Sequence, residues 1–129
     1  MSIELAIIQA QKAAKRGEIP IGAVIVRSGK VISKAHNMRE KKQNALYHAE
    51  VLAIMRACKK LKSWRLDDCE MYVTIEPCQM CMGAITNARL KTVYFGAGTK
   101  SDLNWTTNTV DLKNQDCAKI IKDFFATKR

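Results

Sequence analysis

Two short apolar runs, Met71–Ile75 and Thr92–Phe95, flank a stretch from Pro77 to about Asn87 that reads as a helix. This strand–helix–strand unit constrains the fold more than any other feature of the chain. The return strand has to cross over, and a right-twisted strand feeding a right-handed helix packs back in one hand only, which makes the two strands parallel. Upstream, Ile21–Val26 and Val31–Ala35 read as strands joined by a hairpin at Arg27-Ser28-Gly29-Lys30, an antiparallel pair. Helical spacing marks three further elements. Ile3, Ala6, Ile7, Ala10 and Ala14 follow Ser2, a good N-cap residue, and Gly17 stands where that helix should end. Val51, Ile54, Met55 and Cys58 form a second apolar stripe, and Cys117, Ile120, Ile121 and Phe124 a last one. The order is helix, hairpin, helix, strand, helix, strand, helix. It predicts an α/β chain, a three-layer α/β/α sandwich around a central mixed sheet of about five strands. The fifth strand is expected near Thr109–Leu112, in a segment (residues 98 to 112) with little other pattern.

A length of 129 residues suits one domain, 1–129, with a single core. No linker, repeat or low-complexity block divides it. The longest strongly apolar run near the start, Ile19 to Val26, is short and contains Pro20 and Gly22, so no membrane span is expected. The first residues lack the charged and apolar regions of a secretory leader, and the expected location is the cytoplasm. Lys and Arg number 22 against 12 Asp and Glu, a formal charge of +10. That excess suits a polyanionic partner, because neutralising phosphates releases condensed counterions. A lysine-rich solvated surface would give the same count.

Five cysteines cannot all pair within one chain. Cys58, Cys69 and Cys117 are scattered and read as small, partly buried apolar residues. Cys78 and Cys81 differ: they are three apart behind Pro77, a spacing that in a cytosolic setting points to metal or redox chemistry. At the first turn of a helix both sulfurs can face one point, and the helix N-terminus favours the thiolate that binds metal. Proline suits that position, where its missing N–H has no intrahelical partner. His48-Ala49-Glu50 stands at the start of another predicted helix. One imidazole and two thiolates give Zn²⁺ three protein ligands and leave the fourth position for water, the mark of a catalytic site. Two thiolates cancel the formal charge of the metal, so its water needs a base, and Glu50 is placed to be that proton carrier. The competing reading is a closed structural site completed by His36 or Cys69.

The pattern H-x-E followed by P-C-x-x-C is that of the zinc deaminases of nucleobases. The segments Gly17-Glu18-Ile19-Pro20-Ile21-Gly22-Ala23-Val24, His48-Ala49-Glu50-Val51, Ser63-Trp64-Arg65-Leu66, Tyr72-Val73-Thr74-Ile75-Glu76-Pro77-Cys78 and Met80-Cys81-Met82-Gly83-Ala84-Ile85 resemble the bacterial tRNA adenosine deaminases. The resemblance runs from about residue 3 to 97 and resumes in Asp123-Phe124-Phe125. It implies one Zn²⁺ per subunit and conversion of adenosine to inosine at the wobble position of a tRNA anticodon, by a cytoplasmic homodimer. By the same resemblance Asn37 would hydrogen-bond the base and Ile19 would pack against it. Lys119, Lys122, Lys128 and Arg129 would meet phosphates.

Two stretches depart from the family. Asn44-Ala45-Leu46-Tyr47 replaces its usual Asp-Pro-Thr-Ala before the histidine, and Gly98-Thr99-Lys100-Ser101-Asp102 replaces its Gly-rich loop in a shortened segment. Those changes leave the metal motif intact and bear on the substrate. A deaminase of a free base or nucleoside (guanine, cytosine or a related ring) is therefore the rival expectation. An inactive RNA-binding partner subunit is a third, against which the presence of Glu50 argues. Trp64 and Trp105 are expected in the core or an interface, with base stacking as a second role for Trp105.

Overall fold

The computed structural model describes residues 2–99 and 105–127. The elements are α1 (Ser2–Lys15), β1 (Gly22–Arg27), β2 (Lys30–His36), α2 (Arg39–Lys42), α3 (Ala49–Leu61), β3 (Cys69–Ile75), α4 (Gln79–Asn87), β4 (Thr92–Ala97), β5 (Asn108–Asp111) and α5 (Gln115–Thr127). One five-stranded sheet has the order β2-β1-β3-β4-β5. β1 pairs antiparallel with both β2 and β3, whereas β3–β4 and β4–β5 are parallel. The mixed sheet and its helical layers agree with the expected sandwich.

Side-chain alternation along the strands sorts the helices between the two faces. Ala23 and Ile25 of β1, Met71 and Val73 of β3, and Val93 and Phe95 of β4 point to one side. There they form the main core with Leu52 and Ala53 of α3 and Met82 and Ile85 of α4. Val24 and Val26 point to the other side and pack against Ala6 of α1. Two glycines let helices approach that second face closely. A Cβ on Gly22 would collide with the Ala6 carbonyl and stand 2.6 Å from Ala10 N, and one on Gly96 would collide with Cys117 Sγ. α1 and α5 thus lie against backbone at positions where any side chain would hold them off.

The β1–β2 turn is Ser28-Gly29, with φ of 50° and 76°. Both central residues with positive φ give the twist that suits a two-residue hairpin. Gly17, at φ 76°, lies in the left-handed region just beyond α1, as a helix stop requires.

Some expectations need correction. Trp64 is not a core residue: it is 61% exposed, and the Arg65 guanidinium lies 5.5 Å from its ring centroid. Trp105 is half-buried and packs against the main core. α4 begins at Gln79 rather than Pro77, because Cys78 is its extended N-cap. β5 lies one residue earlier than expected, is exposed along its length, and returns parallel to β4. The short helix α2 was not expected, since four residues carry no readable period. Among the described residues no helix is long and apolar enough to cross a membrane.

Candidate active site

His48 and Cys78 occupy equivalent places. Each is the N-cap of a helix in extended conformation, His48 at φ −74°, ψ 154° before α3 and Cys78 at φ −71°, ψ 174° before α4. Their carbonyls accept the first intrahelical bonds, from Leu52 N at 3.0 Å and Met82 N at 2.9 Å, which leaves both side chains free to point beyond the helix ends. α3 and α4 share a layer and the main core, so their N-termini meet. The N-terminal ends of two helices then face the three ligand atoms.

His48 Nδ1 lies 3.7 Å from Cys78 Sγ and 3.5 Å from Cys81 Sγ. The three ligand atoms all lie within 4.8 Å of one another. Tetrahedral bonds of about 2.3 Å to sulfur and about 2.05 Å to nitrogen would put N and S about 3.5 Å apart, so the donors are spaced for a metal of zinc's size. Cys78 is exposed and Cys81 buried, so the group opens to solvent on one side.

Electrostatics among these residues point the same way. Glu50, at the second position of α3, is 2% exposed, and its Oε1 has no hydrogen-bond partner. Burial pushes its carboxyl up to about 7, opposed by weaker hydrogen bonds from its own backbone and from Cys81. Burial also pushes the Cys81 thiol far above the ordinary range, with the neighbouring Glu50 and Cys78 adding to it. Anionic groups gathered out of water are costly unless a cation joins them, and a divalent ion between the sulfurs would reverse both shifts. His48 is shifted down by burial and by Arg39, which favours the uncharged imidazole with a lone pair to offer.

The residues that could have closed the site as a fourth ligand are engaged elsewhere. Arg16 Nη1 lies 3.0 Å from His36 Nε2, and His36 Nδ1 lies 3.0 Å from Asn37 O. Cys69 is buried with its Sγ 3.6 Å from Asp68 Oδ1. Among the described residues, His48, Cys78 and Cys81 are the group able to hold a metal, and it leaves a position open.

Asn37 and Ile19 come together. Asn37, 4% exposed, follows β2, and its Nδ2 lies 3.5 Å from Ile19 O. Its Oδ1 accepts from Arg39 N at 3.0 Å, the bond of a turn residue. Met38 N donates to Tyr47 O at 3.0 Å, which ties this turn to the residue preceding His48. Of the four cations expected at phosphates, Lys128 and Arg129 lie outside the described residues. Lys119 pairs with Asp123 at 2.6 Å, and Lys122 is exposed.

Two residues had no assigned role in the sequence. Glu76 Oε1 accepts from Thr99 N at 3.0 Å and lies 3.2 Å from its hydroxyl, fastening the loop after β4 to the turn that carries Pro77 and Cys78. Glu18 accepts from Glu40 N and Lys41 N with its two carboxylate oxygens. Neither shows in periodicity or spacing, because each is defined by partners distant in the chain.

Residues 2–129 match the model of the MafB19-like deaminases. A tRNA-specific adenosine deaminase of Bacillus subtilis (strain 168) is 52% identical over 92 residues, 71% of this chain. The matched region spans 57% of that relative's length, little more than half. A solved structure from work on A-to-I editing by tRNA:A34 deaminases at the wobble position of transfer RNA superposes with a TM-score of 0.83 at 33% identity, covering 92% of this chain and 96% of that one. The structure of guanine deaminase from Bacillus subtilis superposes with a TM-score of 0.71 at 42% identity, covering 74% and 62%.

Proposed function

Since this chain belongs to the MafB19-like deaminase family, we propose that it is a zinc-dependent hydrolase converting adenosine to inosine at the wobble position of a tRNA anticodon, with residues 1–129 acting as one catalytic domain. The observation that carries the reading is the convergence of His48, Cys78 and Cys81 beside the unpartnered Oε1 of buried Glu50. The similarity to proteins named for that activity supports the substrate.

His48 Nδ1 and the sulfurs of Cys78 and Cys81 hold the metal in this reading. When bound, a zinc ion with three protein ligands supplies Lewis acidity and lowers the pKa of a water at its fourth position. Glu50 moves the protons. With the metal in place, its carboxylate would take a proton from that water and deliver it to the ring nitrogen beside the amine-bearing carbon. It would then take the second proton from the hydroxyl now on that carbon and pass it to the amino group, which leaves as ammonia as the carbonyl forms. Asn37 would offer Nδ2 to the base and Ile19 would pack against it. An anticodon loop is single-stranded, so a base can leave its stack at little unpairing cost.

The expected partner is the anticodon stem-loop, with the +10 charge as the electrostatic support. The expected assembly is a cytoplasmic homodimer. Exposed Leu46, Met55 and Met80 belong to or adjoin the α3–α4 layer, and a second copy would cover them. A second reading, deamination of a free base, is favoured by the 42% identity to the guanine deaminase structure. The deciding experiment offers an anticodon stem-loop containing the wobble adenosine beside free adenine, guanine and cytosine. Inosine in the stem-loop supports the first reading, and ammonia only from a free base replaces it with the second. Binding to the stem-loop should also weaken steeply with salt, whereas a neutral base should bind nearly independently of it.

A further inference from the structure

Glu18 follows α1, is 1% exposed, and faces backbone rather than solvent. Its Oε1 accepts from Glu40 N at 3.0 Å and its Oε2 from Lys41 N at 2.7 Å. Both donors belong to α2, whose N-cap Met38 makes no side-chain capping bond. A helix of four residues cannot hold itself, because its nucleation cost exceeds what so few bonds return. A buried carboxylate 22 and 23 residues away in sequence therefore takes the place of the missing cap.

The same short segment grips the neighbouring turn at other points. Arg16 donates to His36 Nε2 at 3.0 Å, which fixes Nδ1–H as the donor to Asn37 O at 3.0 Å. Ile19 O stands 3.5 Å from Asn37 Nδ2. Asn37 Oδ1 in turn accepts from Arg39 N, the first residue of α2. Asn37 is thus linked through Arg39 to the helix that Glu18 caps. A displacement of α2 would alter where the amide lies and which of its atoms is free.

We propose that Glu18 is a positioning residue for substrate recognition: by clamping the first turn of α2 it sets the depth and orientation at which Asn37 presents its amide to the base. This rests on the reading of Asn37 as the base-binding residue. Charge-assisted bonds of this kind are the stronger ones, and their loss would leave the N–H groups of Glu40 and Lys41 without the buried carboxylate that accepts from them.

The test is a double-mutant cycle between Glu18→Gln and Asn37→Ala, read as kcat/KM on the anticodon stem-loop. Glutamine keeps the size but turns an N–H₂ toward one of the two N–H groups. With Asn37 present, Glu18→Gln should raise KM about tenfold, a 1.4 kcal/mol loss in recognition, with kcat and metal content little changed. In the Asn37→Ala background it should cost less than about twofold, because neighbours acting through one contact are not additive. Amide hydrogen exchange should show Glu40 and Lys41 exchanging at least about tenfold faster while α3 stays protected, the sign of a local opening. Unchanged KM, full additivity, or unchanged protection of Glu40 and Lys41 would each overturn the clamp. Should Glu18→Gln fail to fold, Glu18→Asp, one methylene short, is expected to give the same KM shift and the same exchange pattern. A wild-type chain silent on the stem-loop but active on a free base would overturn the substrate reading alone, and the cycle is then run on that base. If no substrate is turned over, the exchange measurement decides the clamp.

Discussion

His48 Nδ1 and Cys81 Sγ lie 3.5 Å apart although 33 residues separate them. The contact follows from packing. Leu52 and Ala53 of α3 and Met82 and Ile85 of α4 share the main core, and the helices they fix end in His48 on one side and the Cys78–Cys81 turn on the other. The metal group inherits its spacing from apolar contacts one turn further along each helix.

Removing a ligand should therefore remove the metal without unfolding the core. His48→Ala and Cys78→Ala are each expected to lose stoichiometric zinc and all turnover, measured by elemental analysis and ammonia release. Full zinc in either variant would strike that residue from the ligand set. Stripping the wild type with a chelator should lower its melting temperature, because binding free energy contributes to folding.

Glu50→Gln should separate metal from chemistry. The side chain keeps its volume but loses its proton affinity, so one zinc per chain is expected to remain while kcat falls by a factor of about 10²–10⁴ or more. Activity within tenfold of wild type would remove Glu50 from the proton path.

The Glu50 carboxyl should contribute a loss of stability to the chelated protein as pH rises, against the opposite contribution of His48 and His36, whose lowered affinity makes the folded state bind fewer protons. Burial lifts the Glu50 carboxyl from 4.5 to about 7, so between those values the folded state holds a proton that the unfolded state has released. The folded state binds more protons there, which makes the slope of unfolding free energy against pH negative. The contribution is fully present below pH 4.5 and is lost as pH rises through 7. The change amounts to roughly 3–4 kcal/mol at the conversion of about 1.4 kcal/mol per pH unit. Urea unfolding of the chelated wild type and of chelated Glu50→Gln at pH 5 and pH 8 measures it as the difference between the two.

Two glycines should respond to alanine with opposite signs. Gly22→Ala puts a Cβ against the Ala6 carbonyl and 2.6 Å from Ala10 N, backbone that cannot step aside, and should cost about 2–3 kcal/mol or more. Gly83, inside α4, has nothing within 4 Å of the added Cβ, and Gly83→Ala should stabilise by about 0.5–1 kcal/mol. Thermal unfolding of the two variants decides both. A neutral Gly22→Ala would mean that α1 is free to move off β1.

Much of this molecule is legible in its residue order because the relevant physics is local. The stripe of α3, the Ser28-Gly29 turn and the β3–α4–β4 unit depend on periods of 3.6 and 2 and on glycine's freedom at positive φ. The candidate metal group is legible too, since Cys78 and Cys81 stand three apart at the start of α4, as its N-cap and in its first turn, and ligand chemistry demands those residue types. Trp64 lies outside the core, although aromatic side chains are usually buried, because its place depends on a loop between α3 and β3 that no period describes. The parallel return of β5 was equally hidden. Its four exposed residues have no face to alternate, so only pairing with β4 defines them.

The sequence by itself determined the layered architecture and the residue types of the candidate metal group and of Glu50, the proposed proton carrier, because each follows from residue chemistry or short-range periodicity. Only the tertiary structure decided that His36 is occupied with Arg16 and Asn37 rather than with the metal, and that Glu18 reaches α2. Those outcomes depend on which distant backbone N–H or side chain arrives beside a buried polar group once the core has packed. No local pattern carries that information.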